Sequence, residues 1–383
     1  MILCCYLYGG ENKMKKIISF LKKEVVLTIS GLLAIGSCFL VRPDAKYASY
    51  IDWHTILILF SLMAVMAGFK DIGLFQHTGE TLLKKIRTQR GVVCVLVFLC
   101  FFSSMFITND VALITFVPLA LLILNMAKMN TSLCYIMTLM TIAANLGSML
   151  TPIGNPQNLY LYSASGISLG SFVGLMLPYT IISAILLFIC IVVRFRKSEV
   201  PVELGEKTNA MNLKRIVYYA VLFVICLLAV AKICPIELLF GIILLAVIVD
   251  NRKLLLRIDY SLLLTFIFFF IFIGNMGRFQ AFRMFLMAVL AGRVTLVAVL
   301  SSQIISNVPA ALLLSGFTND WSSLMIGTNL GGLGTLIASM ASLISYKQLA
   351  QNHPEVKGKY MMIFTIANIG FLIVLYGAFI VLT

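Results

Sequence analysis

Apolar stretches that match or approach the length of a bilayer crossing follow one another along almost the whole chain, and no other feature restricts the fold so strongly. They lie at 25–41, 53–69, 91–125, 134–163, 172–193, 216–231, 236–249, 262–277, 294–317, 322–346 and 361–382. A helix needs about 20 apolar residues to cross the hydrocarbon core. Lipid offers no partner for free backbone N–H and C=O groups, so spans of this length must be helical. With 61% hydrophobic and 11% charged residues, the 383-residue chain cannot furnish the charged shell of a soluble domain. The expected fold class is an all-α polytopic membrane protein.

The formal charge of +14 would suggest a nucleic-acid partner in a soluble protein. Here most Lys and Arg sit in short polar clusters between the apolar runs, the pattern of cytoplasmic loops, so a lipid bilayer is expected and no nucleic acid. The nine cysteines are scattered without a C-x-x-C pair, which argues against a disulfide framework and a zinc site. His54, His77 and His353 are too far apart to suggest a local metal cluster. No cofactor is expected beyond a coupling ion. The lysines before 25–41 resemble the start of a secretory signal, but no small-residue cleavage site follows and further spans do, so this run is expected to be the first crossing. Residues 1–24 then form a cytoplasmic N-terminal segment, of which 1–13 differ in character from the rest, since Met14-Lys15-Lys16 would itself make an ordinary start.

Several runs have the wrong length for one crossing. The 91–125 run carries Thr108-Asn109-Asp110 at its middle, and 294–317 carries Ser306-Asn307-Val308-Pro309 in a similar place. A re-entrant helical hairpin that turns at a polar tip fits both. The 134–163 run is interrupted by Thr151-Pro152-Ile153-Gly154-Asn155-Pro156-Gln157-Asn158, where two prolines and a glycine cannot continue a regular helix. It reads as a broken helix whose break must face protein, water or a ligand.

Three motifs recur in the same order. Ile51-Asp52-Trp53 matches Ile258-Asp259-Tyr260, and Ile107-Thr108-Asn109 matches Ile305-Ser306-Asn307. The stretch from Asn145 to Ile153 matches that from Asn329 to Ile337, and the three offsets are 207, 198 and 184. Collinear matches of this kind indicate an internal duplication. The expected organisation is a first repeat at 25–194 (hairpin 91–125, broken helix 134–163), a linker with a connecting helix at 195–235, and a second repeat at 236–383 (hairpin 294–317, broken helix 322–346).

With about nine crossings and a cytoplasmic N-terminus, cytoplasmic segments hold 23 of the 29 Lys and Arg residues and the outside holds six. This asymmetry sets the orientation, with the C-terminus outside. The connecting helix 216–231 makes the number of crossings between equivalent points odd, so the two repeats are expected to be inverted. The first hairpin then enters from inside and the second from outside, with the plasma membrane as the expected location.

Two inverted hairpins and two inverted broken helices would bring four polar interruptions near the midplane, where helix ends carry about half an elementary charge. Asn109 and Asn307 could offer carbonyl oxygens to a sodium ion at each tip, or amide donors to an anion. Thr108, Ser306, Thr151 and Thr335 add hydroxyls, and exposed carbonyls at the glycines and prolines could complete a sodium shell. Turn chemistry alone accounts for Gly, Pro and Asn at such places, but not for the same polar pair in both halves. Asp110 is the one acidic residue within membrane depth on this map and reads as a proton carrier or cation ligand, or else as a helix cap. Its counterpart is Val308 or Pro309, so the two sites are not equivalent.

The run Ile107-Thr108-Asn109-Asp110-Val111-Ala112-Leu113, then Thr115-Phe116-Val117-Pro118-Leu119, then Thr151 to Asn158, resembles the ion-transporter superfamily over almost all of the chain after Met14. That superfamily includes citrate-transporter-like permeases, divalent-anion/sodium symporters and arsenite-efflux permeases. The resemblance implies a homodimer, each protomer having a fixed scaffold and a mobile domain that carries both hairpins. It places solute and coupling ion between hairpin tips Thr108-Asn109-Asp110 and Ser306-Asn307-Val308 and the breaks at 151–158, with Thr151, Gly154, Asn155 and Asn158, and at 334–339, with Gly334, Thr335 and Ser339. Dicarboxylate symporters usually carry Ser-Asn-Thr at both tips; the final hydroxyl is missing here, and Asp110 resembles the arsenite-efflux or sodium/proton-antiport side.

The expected function is secondary active transport of a small anion, a carboxylate such as citrate or an oxyanion such as arsenite, coupled to sodium or protons by an elevator mechanism. A sodium/proton antiporter is the alternative. A channel would need a continuous polar pore. No Ser/His pair, His-x-x-x-His motif or aspartyl dyad falls within the spans, so no enzyme activity is expected.

Overall fold

The computed structural model describes residues 24–84, 86–200 and 212–383. The expected N-terminal segment up to residue 23, Lys85 and the stretch 201–211 of the linker lie outside the described residues. Helices account for most of the described chain, and no strand ladder is found among these residues beyond a single bridge between Thr88 and Glu199.

The first half runs α1 (Val25–Leu40), α2 (Trp53–Asp71), α3 (Leu74–Lys84), α4 (Gln89–Ile107), α5 (Asn109–Met126), α6 (Leu133–Gly147), α7 (Pro156–Ser165) and α8 (Leu169–Arg194). After α9 (Leu213–Val230) the second half runs α10 (Ile236–Asn251), α11 (Tyr260–Arg278), α12 (Gln280–Leu290), α13 (Val294–Ile305), α14 (Asn307–Ser315), α15 (Trp321–Leu330), α16 (Met340–Asn352) and α17 (Lys357–Leu382). Eight elements thus recur in order on either side of α9. Their starts are set by matching chemistry: the Asp52 carboxylate accepts the Thr55 N–H at 3.1 Å to cap α2, and Asp259 accepts that of Leu262 at 2.9 Å to cap α11.

The halves pack crosswise in matching ways. α1 lies against α11 as α10 lies against α2, and α5 meets α16 as α14 meets α7. Ion pairs tie the ends of the first set. At one end Arg257 bonds Asp71 at 2.8 Å and Arg215 bridges Asp71 (3.4 Å) and Asp250 (2.7 Å). At the other end of α11, Arg278 reaches Asp44 at 2.8 Å and the Tyr50 hydroxyl at 3.0 Å. At the offset of 207, Arg278 corresponds to Asp71 and Tyr50 to Arg257, so the same positions are linked with the charge moved to the other partner.

Two departures from the sequence reading are local. Among the described residues, eight helices are long and apolar enough to cross a membrane, or nine if the bent pair α12 and α13 counts as one. They include both arms of the first hairpin, whose 19 and 18 residues make helices of about 27 Å or more, whereas the second hairpin's arms have 12 and 9. The amphipathic helices α3 and α12 fall where only polar loops were expected; each has 11 residues, too few to register as a span. Burial sorts the helices: the window around α6 is 89% buried, while those of α9 and α17 are 28% and 17% buried. α6 is therefore the core element, and α9 and α17 offer their apolar sides to lipid.

Candidate functional site

A single residue joins the arms of each hairpin. Thr108 has φ 64° and ψ 148°, and Ser306 has φ 73° and ψ 156°. This is a region that essentially only glycine occupies, at a cost of about 1–3 kcal/mol for other residues, and such strain clusters at functional sites. Both halves retain it. The turn sets Asn109 and Asn307 at the first position of the second arm, both buried. Neither Thr108 nor Ser306 caps the following helix with its side chain. The Asn109 side-chain oxygen instead accepts the Asp110 N–H at 2.9 Å.

The two breaks also match. Beyond α6 come two tight helical turns, Ser148–Leu150 and Pro152–Gly154, and α7 starts after Asn155 at φ −143°, ψ 143°. Beyond α15 the chain is irregular to Ser339, at φ −141°, ψ 137°, where α16 starts. Neither residue caps its helix with its side chain, leaving the α7 and α16 N-termini without that partner. Gly334, at φ 107°, is confined to glycine and lies close over the Gln303 carboxamide. The Thr151 hydroxyl donates to the Met105 carbonyl, and that of Thr335 to the Gln303 carbonyl at 3.3 Å. Met105 and Gln303 are equivalent at the hairpin offset, as Thr151 and Thr335 are at the break offset. Each break is thereby tied to the first arm of its own hairpin, and these two hydroxyl protons are committed to that tie.

Buried amides join the halves. The Asn145 side-chain oxygen accepts from Asn109 Nδ2 at 3.0 Å and from the Ser339 hydroxyl at 2.9 Å, so the first hairpin tip meets the second break through one carboxamide. Its own Nδ2 donates to Ser342 Oγ and the Gly332 carbonyl, both at 3.4 Å. The equivalent Asn329 donates to Asn158 Oδ1 at 2.7 Å, and Asn158 is the counterpart of Ser342. At the second tip the Asn307 N–H and the Ser306 hydroxyl both reach the Ala338 carbonyl, at 2.9 and 3.4 Å. Asn155 Nδ2 donates to Ser148 Oγ at 2.6 Å.

Asn145 and Asn329 were not among the residues singled out from sequence, although each heads one copy of the repeated motif. Gln157 was also missed: it is fully buried, and neither of its polar side-chain atoms has a partner. A lone glutamine after a proline carries no sequence signal that separates it from turn chemistry.

A cavity of about 380 Å³ lies between α2 and the first hairpin tip. Thr108, Asp110 and Asn155 line it; Asn109, Asn158 and Ser339 are in the amide network behind it, and Ser306, Asn307, Gly334 and Thr335 belong to the other tip and break. Its wall is mostly aliphatic, from Leu59, Leu62, Met63 and Met66, with Lys70, Arg257 and Asp259 at one end. Asp110 Oδ1 is buried without a partner. The space at the second tip, between Val308, Pro309 and α11, is only about 10 Å³. The first tip faces α2 between Leu59 and Lys70, but the second faces α11 at Ser261, Leu262 and Thr265, which correspond to residues 54–58 of α2. Equivalent tips therefore sit at different levels of equivalent helices.

Crosswise halves, paired hairpins with strained polar tips, and a cavity at one tip define an integral membrane transporter. The chain belongs to the citrate transporter family, whose profile matches residues 16–318. An uncharacterized transporter of Methanocaldococcus jannaschii is 36% identical over 330 residues, 85% of this chain and 88% of its own length. The inner membrane protein YbiR of Escherichia coli is 30% identical, covering 82% of this chain and 85% of its own. A silicon efflux transporter of rice is 33% identical over 138 residues, 36% of this chain and 28% of its own.

Proposed function

We propose that the protein is a secondary active transporter that binds a small anion in the cavity at the first hairpin tip and moves it together with a proton. The observation that carries this reading is the charge arrangement of the cavity. Lys70 and Arg257 supply two cationic groups, Asp110 and Asp259 two carboxyls, and Arg257 is already shared with Asp71. An anion gains little from such a balanced site while Asp110 is ionised. Protonation of Asp110 removes the opposing charge beside the hairpin tip, so proton and anion bind better together than apart. The aliphatic wall suits a compact, weakly charged oxyacid better than a tricarboxylate.

Access would alternate by displacement of hairpins and broken helices against α1, α2, α10 and α11. The support is the unequal level of the two tips: exchanging their positions closes the space at Asp110 and opens the one at Val308, as inverted halves permit. The excess of Lys and Arg at the Lys70 end, the one the cavity adjoins, supports a cytoplasmic location for that end. The N-terminus is then cytoplasmic and the C-terminus outside, in a plasma-membrane homodimer.

The partnerless Asp110 oxygen beside an asparagine-rich tip also suits a second reading, exchange of sodium for protons without an organic solute. Proteoliposomes separate the two. Arsenite, silicic acid and citrate are offered in turn under an imposed proton gradient, then under a matched sodium gradient. Uptake driven by protons, abolished in Asp110→Asn, supports the first reading. Sodium-dependent proton movement with no added solute would replace it with the second.

A further inference from the structure

Away from that cavity, a groove of about 500 Å³ runs down the outer face between α6, α8 and α17. Its walls are Tyr135 and Leu139 of α6, Leu186 and Cys190 of α8, and the α17 face from Ile363 to Val374. Ala367 and Gly370 make it deep because neither has a side chain beyond a methyl group. The α17 stretch covers 11 residue steps, about 16 Å of helix, and the window containing it is among the least buried in the molecule.

One end of the groove is basic. Arg194 stands one turn beyond Cys190 on α8, and Lys359 stands one turn before Ile363 on α17, with Lys357 beside it. All three are exposed, and among the described residues none has an ion-pair partner. Arg90, another cation at this end, is taken up by the Phe195 and Val192 carbonyls. The neighbouring carboxylate, Glu355, is paired with His353 at 3.1 Å.

We propose that this groove is a binding site for an anionic phospholipid, with an acyl chain between α8 and α17 and the phosphate held by Arg194 and Lys359. An acyl chain gains little by leaving bulk lipid for an apolar groove, so shape confers position and the cations confer selectivity for charge. A second copy of the chain is the less suitable occupant. Joined through this face by a two-fold axis along the membrane normal, the copies would bring Arg194, Lys357 and Lys359 toward their own counterparts.

The test compares spin-labelled phosphatidylglycerol with spin-labelled phosphatidylcholine in vesicles holding the full-length protein, reading the motionally restricted fraction of each. The wild type should restrict the anionic lipid preferentially. R194Q/K359Q should lower that preference by roughly five-fold per cation removed. Gly370→Phe should remove the restricted site for both labels, and a Cβ at this position meets nothing within 4 Å, so the helix can accept the change. Equal selectivity in the wild type and both variants would overturn the proposal. So would a G370F protein whose dimer dissociates while its lipid selectivity stays unchanged, because the face would then be a subunit interface.

Discussion

If transport is an exchange of levels between the two hairpin tips, the distance it covers follows from the helices they face. The cavity at the first tip is lined along α2 from Leu59 to Lys70, and the space at the second tip is lined at positions equivalent to residues 54–58, so the midpoints of the two linings differ in level. The difference is eight to nine residues, or about 13 Å at 1.5 Å per residue. A pair of cysteines bridges only when their Cα atoms lie within about 7 Å. Ser261→Cys with Val308→Cys, placed in a chain cleared of its nine native cysteines, should oxidise to a disulfide in the arrangement described here. At the offsets of 207 and 198 the equivalent positions at the other tip are His54 and Asp110, and the adjoining pair His54→Cys with Val111→Cys probes that contact while keeping the Asp110 carboxyl. His54 is about ten residues along α2 from the level that Val111 now faces, about 16 Å. This second bridge should therefore form only during turnover, when substrate and gradient drive the other arrangement. Either bridge should halt uptake, and reduction should restore it. The reasoning is refuted if transport continues at full rate with the Ser261–Val308 bridge complete, or if the His54–Val111 bridge never forms in vesicles that are transporting.

Removing the central amide with Asn145→Leu leaves Asn109 Nδ2 and the Ser339 hydroxyl without their acceptor. At about 1–3 kcal/mol for each stranded group, stability should fall by about 2–6 kcal/mol, read as a lower midpoint of thermal unfolding in detergent. Ser306→Gly relieves the strained tip at φ 73° and should raise the same midpoint by the equivalent of about 1 kcal/mol; no change, or a loss, would mean that the hydroxyl contact to Ala338 outweighs the strain. Asn109→Ala and Asn307→Ala should abolish uptake while the protein still elutes as a folded species, and wild-type rates in both would remove the tips from the site. Lys70→Gln should raise the KM for an anion with little effect on kcat, since the side chain is at the end of the cavity and away from the tip; an unchanged KM would place the anion elsewhere.

Much of this arrangement is legible in the chain, because lipid leaves the backbone few alternatives. Runs of about 20 apolar residues must be helices, two prolines and a glycine around Asn155 must interrupt one, and an Asp before each of α2 and α11 must cap it. The duplication showed through three short motifs because these are the places where backbone geometry, not hydrophobicity, limits the residue type. The amphipathic helices α3 and α12 left no such mark, since 11 mixed residues read equally well as a polar loop.

Tertiary structure decided the rest. Sequence named Asn109, Asn155, Asn158 and Ser339 as site residues, but only folding shows that Asn145 of one half bonds the tip behind it and the break of the other half at once. Sequence likewise placed Lys70 and Arg257 in separate loops, 187 positions apart, and the crosswise packing of α2 with α10 brings them to one cavity. The unequal spaces at Asp110 and Val308 depend on which level each tip occupies along its facing helix. A chain whose halves share their motifs encodes both levels, and only the packed molecule selects one.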